Sequence, residues 1–300
     1  GGLSVADIIM DAVTEIRPIL TRGGSYSEQY MYNFGQDPSF NGGETAPGTD
    51  KTDANGVGKF LYDVPTGFLA LMDDNIPQEG IESPDWVWIK ARSSTTSHNV
   101  FDSVRGVGKA LFPDGTGAES ATTNRLLSFD GQGFTIGDDT NVNNSTVSYV
   151  AWNWKAGGSA SSNSNGSITS NVSANTDAGF SIGTYTGNAT AGATIGHGLG
   201  EIPELVIAKR RDNARDWAVY HKGQTATPTD AYLLLNSTAS AGIGNTAWNN
   251  GTFTTDVFTI GSHELVNYSG DSYVFYAFKG IEGYSKFASY TGNGSTDGPF

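Results

Sequence analysis

FTIGDDTNVNNSTVSYVAWNWK (134–155) and FTIGSHELVNYSGDSYVFYAFK (258–279) are one stretch of sequence written twice. Phe134, Thr135, Ile136 and Gly137 return as Phe258, Thr259, Ile260 and Gly261, an offset of 124 residues. Tyr149, Val150 and Lys155 return at the same offset as Tyr273, Val274 and Lys279. Trp152 and Trp154 become Tyr276 and Phe278, so an aromatic is kept at each place. A strand pattern that recurs while its connecting residues change is the mark of a modular scaffold, and a unique active site is seldom copied in this way.

The repeat extends upstream. PDWVWIKAR (84–92) matches PELVIAKRR (203–211) at an offset of 119, and His98, Val100 and Phe101 align with Trp217, Val219 and Tyr220. The step from 119 to 124 places five extra residues between the matched blocks of the second copy, a cheap change in a surface loop. The two copies span about 85–157 and 179–281. A third motif, Gly183 to Asn188 (GTYTGN), resembles Ala288 to Asn293 (ASYTGN) at an offset of 105. Residues 282–300 therefore read as the opening of a truncated third copy, with the natural protein continuing beyond it. Between the copies, 157–178 is rich in Ser, Gly and Asn. It reads either as a flexible linker or, through Ile168 and Val172, as an edge strand.

Upstream of the repeat, 3–20 (LSVADIIMDAVTEIRPIL) fits a short helix capped by Ser4 and ended by Pro18, or strands. Residues 23–36 fit a strand with Tyr30 and Tyr32 on one face, and 59–71 closes the segment 1–71. The polar, proline-punctuated stretch 72–84 is the expected domain boundary. Short strands separated by Gly, Asn and Asp predict an all-β fold of tandem β-sandwich or jelly-roll modules.

The chain has 300 residues, with 17 Lys and Arg against 31 Asp and Glu and a net charge of −14. That balance argues against nucleic-acid binding, which needs clustered bases. It also disfavours adsorption to anionic lipid. Membrane insertion is not expected, because no apolar run approaches ~18 residues. The 40 glycines and absent cysteines suit many turns and exclude disulfides and thiolate metal sites.

From residue 85 onward the chain resembles a family of repetitive virion and tail-fibre proteins of marine tailed bacteriophages, with lectin-like β-sandwich domains. The resemblance rests on 85–106, LLSFDGQGFTIG (126–137), YVAWNWKAGG (149–158), GFSIGTYTGN (179–188), IGHGLGEIPELVIAKRR (195–211) and 282–300. NFGQDPSF (33–40) with YDVPTGFLAL (62–71) is similar to the closing strands of a SPRY-type domain, so 1–71 would be a partial one. The resemblance implies a virion component in a fibre or adhesion device, contacts with other virion proteins, and a homo-oligomer, with a trimer favoured. A capsid decoration or tail-shaft module and a glycan depolymerase are the alternatives. It transfers no catalytic residue onto this chain.

The residues themselves offer little chemistry. His98, His197, His221 and His263 are scattered, without metal-ligand spacing. Asp138, Asp139, Asn141 and Asn143 form an oxygen-rich loop that suits calcium or, more simply, Asx turns. Neither a cofactor nor a metal is expected. Asp73 and Asp74 read as solvated acids at the boundary, and Gly179 to Gly183 is a chance G-x-S-x-G string. Trp86, Trp88, Trp152 and Trp154 are expected to fill the core. Trp217, Tyr220, His221 and Trp248, nearer to loop-like sequence, are the candidates for stacking on a host-surface glycan.

Overall fold

Val, Ile, Thr and aromatic residues fill the segments marked by the repeat, and these are the types that pack on a pleated, half-buried surface. The computed structural model describes residues 83–298 except 132 and 245, and scattered residues between 51 and 64. The chain divides into two compact units, residues 1–78 and 79–300. In the first, an antiparallel bridge joins Lys51 and Phe60. The helix-or-strand segment 3–20, the strand 23–36, and Asp73 and Asp74 lie outside the described residues.

The second unit is all-β. Its only helical turn among the described residues is a 3-10 turn, Pro228–Asp230. The first copy supplies β1 (Trp86–Ala91), β2 (Asn99–Asp102), β3 (Lys109–Ala110), β4 (Ser120–Ala121), β5 (Leu126–Asp130), β6 (Gly133–Ile136) and β7 (Tyr149–Trp154). The connection supplies β8 (Ser161–Asn163) and β9 (Ser170–Asn175). Then come β10 (Phe180–Thr186), β11 (Ala193–Gly196), β12 (Leu205–Arg210), β13 (Ala218–His221), β14 (Ala231–Leu234), β15 (Gly242–Ile243), β16 (Val257–Ile260) and β17 (Ser272–Phe278). One sheet has the order β2-β1-β7, and a larger, eight-stranded one runs β15-β14-β13-β12-β17-β10-β9-β8. The Ser-rich connection is therefore strand: β9 pairs with β10, Ile168 bridges to Ile195, and Ile168 and Val172 are buried.

The repeat survives at the level of register. Trp86 faces Trp154 and Ala91 faces Tyr149 across β1 and β7. Their counterparts Leu205 and Phe278, and Arg210 and Tyr273, face each other across β12 and β17. Trp86↔Asp102 in β1–β2 likewise becomes Leu205↔His221 in β12–β13. A slip of one residue would turn every apolar side chain to the wrong face, so a register shared this far reflects a common pattern of burial.

The turns are copied as well. Gly137 N–H donates to Arg125 O (2.8 Å) and Gly261 N–H to Ala247 O (2.6 Å). These glycines close the FTIG motif for a steric reason. A Cβ would lie 2.3 Å from Asn124 O at Gly137 and 1.9 Å from Thr246 O at Gly261. Asn143 Nδ2 donates to Gly137 O, and Asn267 Nδ2 donates to Gly261 O, each at 2.8 Å. Tyr149 Oη donates to Thr140 O and Tyr273 Oη to Glu264 O. Even the left-handed residue recurs, as Thr146 (φ 67°) and Gly270 (φ 83°).

Tandem in sequence, the copies are stacked in space. Trp86, Trp88, Val100 and Trp154 of the first pack with Leu205, Ile207, Val219, Tyr276 and Phe278 of the second in one cluster. These are equivalent positions, so like faces meet, as in an isologous interface folded into one chain. The opposite face of β1–β2 carries a second cluster (Val87, Ile89, Phe101, Leu126), and the opposite face of the large sheet a third (Val206, Ala208, Tyr273, Phe275). Both sheets are thus covered on both sides.

Polar groups also lock the copies together. Arg105 Nε donates to Asp102 Oδ2 (2.5 Å), and Tyr276 Oη donates to the same oxygen (2.7 Å). Glu119 accepts from Arg105 (3.1 Å) and, through both oxygens, from Arg211 (2.8 and 3.0 Å). Burial acts to lower the Arg105 pKa, and Asp102, Tyr276 and Glu119 outweigh it, so the guanidinium is held charged well above its ordinary range.

Lys209 is the opposite case. Its buried Nζ donates to Arg210 O (2.7 Å) and Thr116 O (3.3 Å). Burial, opposed in part by Asp216, lowers its pKa from 10.5 to about 8. The unfolded chain then holds more protons between those two values, so stability rises with pH across that window. The full difference is about 3 kcal/mol. Urea midpoints measured from pH 8 to 10 are expected to climb in the wild type and to stay nearly level in Lys209→Met. Parallel slopes in the two proteins would count against this charge-burial account.

Candidate functional site

The tryptophans have exchanged the roles that sequence suggested. Trp217 and Trp248 are 1% and 0% exposed, and Tyr220 is 6% exposed. Trp217 Nε1 donates to Phe112 O (3.0 Å) and Gly115 O (3.2 Å) of the first copy. Tyr220 and Trp248 pack with Phe253 and Phe258 in the cluster beyond the large sheet. A ring that stacks on a sugar must present a free face, so these three do not form the site. His221 is half-buried; its Nδ1 accepts from Gly223 N–H (3.0 Å), and its ring lies 6.3 Å from Phe287. It is the one candidate that reaches the surface.

The expected core tryptophans instead edge an opening. Trp86 is buried, Trp88 and Trp154 are half-buried, and Trp152 is 43% exposed. The cause is the number of strands. Tyr276 and Phe278 sit on β17, which is flanked by β12 and β10. Trp152 and Trp154 sit on β7, which pairs only with β1 among the described residues. Among the described residues the smaller sheet therefore stops short of covering its own aromatic row.

The result is a cleft of about 430 Å³ between the copies. Trp86, Trp88 and Trp154 line it from one sheet and Leu205, Ile207 and Phe278 from the other. Ala178, Gly179, Lys279 and residues Tyr284 to Phe287 complete the lining. Trp88 Nε1 donates to His98 Nδ1 (2.7 Å), which fixes the edge of that indole. Burial lowers the His98 pKa against the pull of Asp114, so the ring stays a neutral acceptor. A second hollow of about 450 Å³ shares Tyr284, Ser285 and Lys286 and adds Glu204 and Lys222, an ion pair at 2.6 Å. An aromatic floor beside charged walls can pack on the apolar face of a ligand and bond its polar edge.

The other motifs are structural. Asp139 Oδ1 accepts from Asn141 N–H (2.8 Å), and Oδ2 accepts from Arg125 Nε (3.0 Å). His263 does the same work in the second copy, its Nδ1 accepting from Leu265 N–H (3.1 Å). An imidazole that replaces a carboxylate in the same turn favours the Asx-turn reading over a calcium loop. Asp138 accepts from Asn124 Nδ2 (2.7 Å). His197 is fully buried between backbone groups, with Nδ1 accepting from Leu199 N–H and Nε2 donating to Thr254 O. Ser181 of the G-x-S-x-G string lies inside β10, whereas a nucleophile elbow needs a turn there. Among the described residues no three His, Asp or Glu form a metal-binding group, and no helix is long and apolar enough to cross a membrane.

Residues 74–300 match the family model described as a domain of unknown function, DUF7483. The chain belongs to this family. The DUF7483 region takes in both copies, the cleft between them and the segment after β17. No curated protein and no solved structure matches the chain.

Residues of the cleft that the sequence reading missed are Lys279, Tyr284, Lys286 and Phe287. Lys279 was visible as a repeated residue, but Lys155, its counterpart, is spent on Asp85 at 3.2 Å. The others lie in 282–287, just before the motif that resembles 183–188, in a segment read only as the opening of a third copy and as part of the family resemblance.

Proposed function

We propose that this chain is a structural β-sandwich module of a bacteriophage virion, part of a tail fibre or adhesion device. The tryptophan-lined cleft would be where it holds a host-surface glycan. The observation that carries the reading is a duplicated scaffold that keeps its register and turns while opening one aromatic row to solvent. Indole faces pack on the C–H faces of sugar rings, and Lys279, Ser285 and Lys286 supply donors for hydroxyls or acidic sugar groups. The acidic net charge fits a partner other than nucleic acid or anionic lipid.

The test is binding of the purified chain to bacterial surface polysaccharide, before and after periodate. Trp154→Ala and Lys286→Ala are each expected to weaken binding by about tenfold, the scale of one aromatic contact or one charged hydrogen bond. Unfolding midpoints report separately on the fold. Binding unchanged in both variants, or untouched by periodate, would remove the glycan role. The module would then be a decoration or tail-shaft piece meeting only other virion proteins. Release of new reducing ends from the polysaccharide would make it a depolymerase.

A further inference from the structure

The two copies differ in one respect that the repeat makes measurable. In the second, β17 has a neighbour on each side, β12 and β10. In the first, β7 takes the place of β17, and the position of β10 is unfilled among the described residues.

The surface that receives β10 is nevertheless built at β7. Tyr273 is fully buried beneath Tyr185, with ring centroids 5.1 Å apart and 11° between planes, whereas its counterpart Tyr149 is partly exposed. Tyr185 Oη donates to Val266 O (2.6 Å), and the equivalent carbonyl, of Val142, receives no bond among the described residues. Asn267 Oδ1 accepts from Asn188 N–H (2.8 Å) and Ala189 N–H (3.2 Å). Asn143, which holds the same turn through its Nδ2, is exposed, and its Oδ1 accepts nothing among the described residues. Gly187 exchanges bonds with Asp271 and Gly270, whose counterparts Val147 O and Thr146 N–H are likewise unused.

A matching strand exists without a sheet. Ala288 to Asn293 (ASYTGN) repeats Gly183 to Asn188 (GTYTGN), the β10 sequence. It forms no strand, every residue from 288 to 298 is exposed, and Tyr290 is 82% exposed. Its own molecule holds the chain just before it: Phe287 lies 6.0 Å from Phe278 and 6.3 Å from His221, on the side of β13.

We propose that residues 288–293 of one chain pair, in a second copy of the chain, with the edge of β7 that is unpaired among the described residues. The register carried over from β10 and β17 sets Ala288 opposite Ala151, Ser289 opposite Val150 and Tyr290 opposite Tyr149. Tyr290 then stacks on Tyr149 and donates to Val142 O, and Asn143 Oδ1 caps the N–H of Asn293. The contact uses different surfaces on the two partners, so it is head-to-tail and can propagate. It is a strand-addition mode, with main-chain bonds giving affinity and the tyrosine pocket giving register. It holds whether or not the cleft binds glycan.

The absence of cysteine makes the test direct. Ala151→Cys and Ala288→Cys chains are made separately, mixed and oxidised. Opposed strand positions are near enough for a disulfide, so a covalent dimer is expected in the mixture and in neither chain alone. Sedimentation of the full chain is expected to show concentration-dependent association. Tyr290→Ala should weaken it at least tenfold and Tyr290→Phe much less. A chain that stays monomeric at all concentrations would overturn the proposal. So would a double-cysteine chain that closes its bond within one molecule.

Discussion

Asp102→Ala is expected to destabilise the protein by about 3–5 kcal/mol, the scale of a buried ion pair left with one partner. The Arg105 and Asp102 side chains are both 0% exposed. Removing the carboxylate leaves a buried guanidinium with Glu119 as its remaining carboxylate partner and takes the acceptor from the Tyr276 hydroxyl of the other copy. Urea unfolding monitored by tryptophan fluorescence measures the loss. Asp102→Leu combined with Arg105→Met should recover much of it, because an apolar pair avoids the desolvation cost. A single mutant within 1 kcal/mol of wild type would show that water reaches the network.

Trp217→Ala carries the second large effect, about 3–5 kcal/mol from the lost burial and the cavity left behind. The ring is 1% exposed, belongs to the cluster between the copies, and bonds two carbonyls of the first copy. Its loss therefore loosens the stacking of one copy on the other as well as the local core. Trp152→Ala, at a ring 43% exposed, should cost less than about 1 kcal/mol. Thermal unfolding of the two variants side by side gives the comparison. A Trp217→Ala protein that kept wild-type stability while losing glycan binding would return Trp217 to the surface role suggested by its sequence context.

The contrast between these tryptophans shows where sequence reading stopped. Trp86, Trp88, Trp152 and Trp154 recur against Leu205, Ile207, Tyr276 and Phe278, so they were expected in a core; Trp86, Trp88 and Trp154 do face one, whereas Trp152 is exposed. Whether a residue on that face is sealed depends on how many strands lie beside it. Among the described residues that number differs between β7 and β17 although their sequences align. Trp217 and Trp248 sat among polar residues, yet polar neighbours on a strand or turn point elsewhere, and both rings turn inward. The cleft was illegible because its walls come from separate segments of the chain, spread from Trp86 to Phe287.

Sequence by itself determined the all-β character, the correspondence of the copies and the repeated residues that close their turns. These are local or near-local matters, fixed by alternation, by glycines that admit a backbone oxygen, and by side chains that bond their own loop. Tertiary structure alone decided that the copies stack through like faces and that one sheet is wider than the other. It also decided that, among the described residues, a row of indoles edges a cleft and one edge of β7 is unpaired. Those outcomes depend on burial summed across distant segments, a quantity that no stretch of the chain carries within itself.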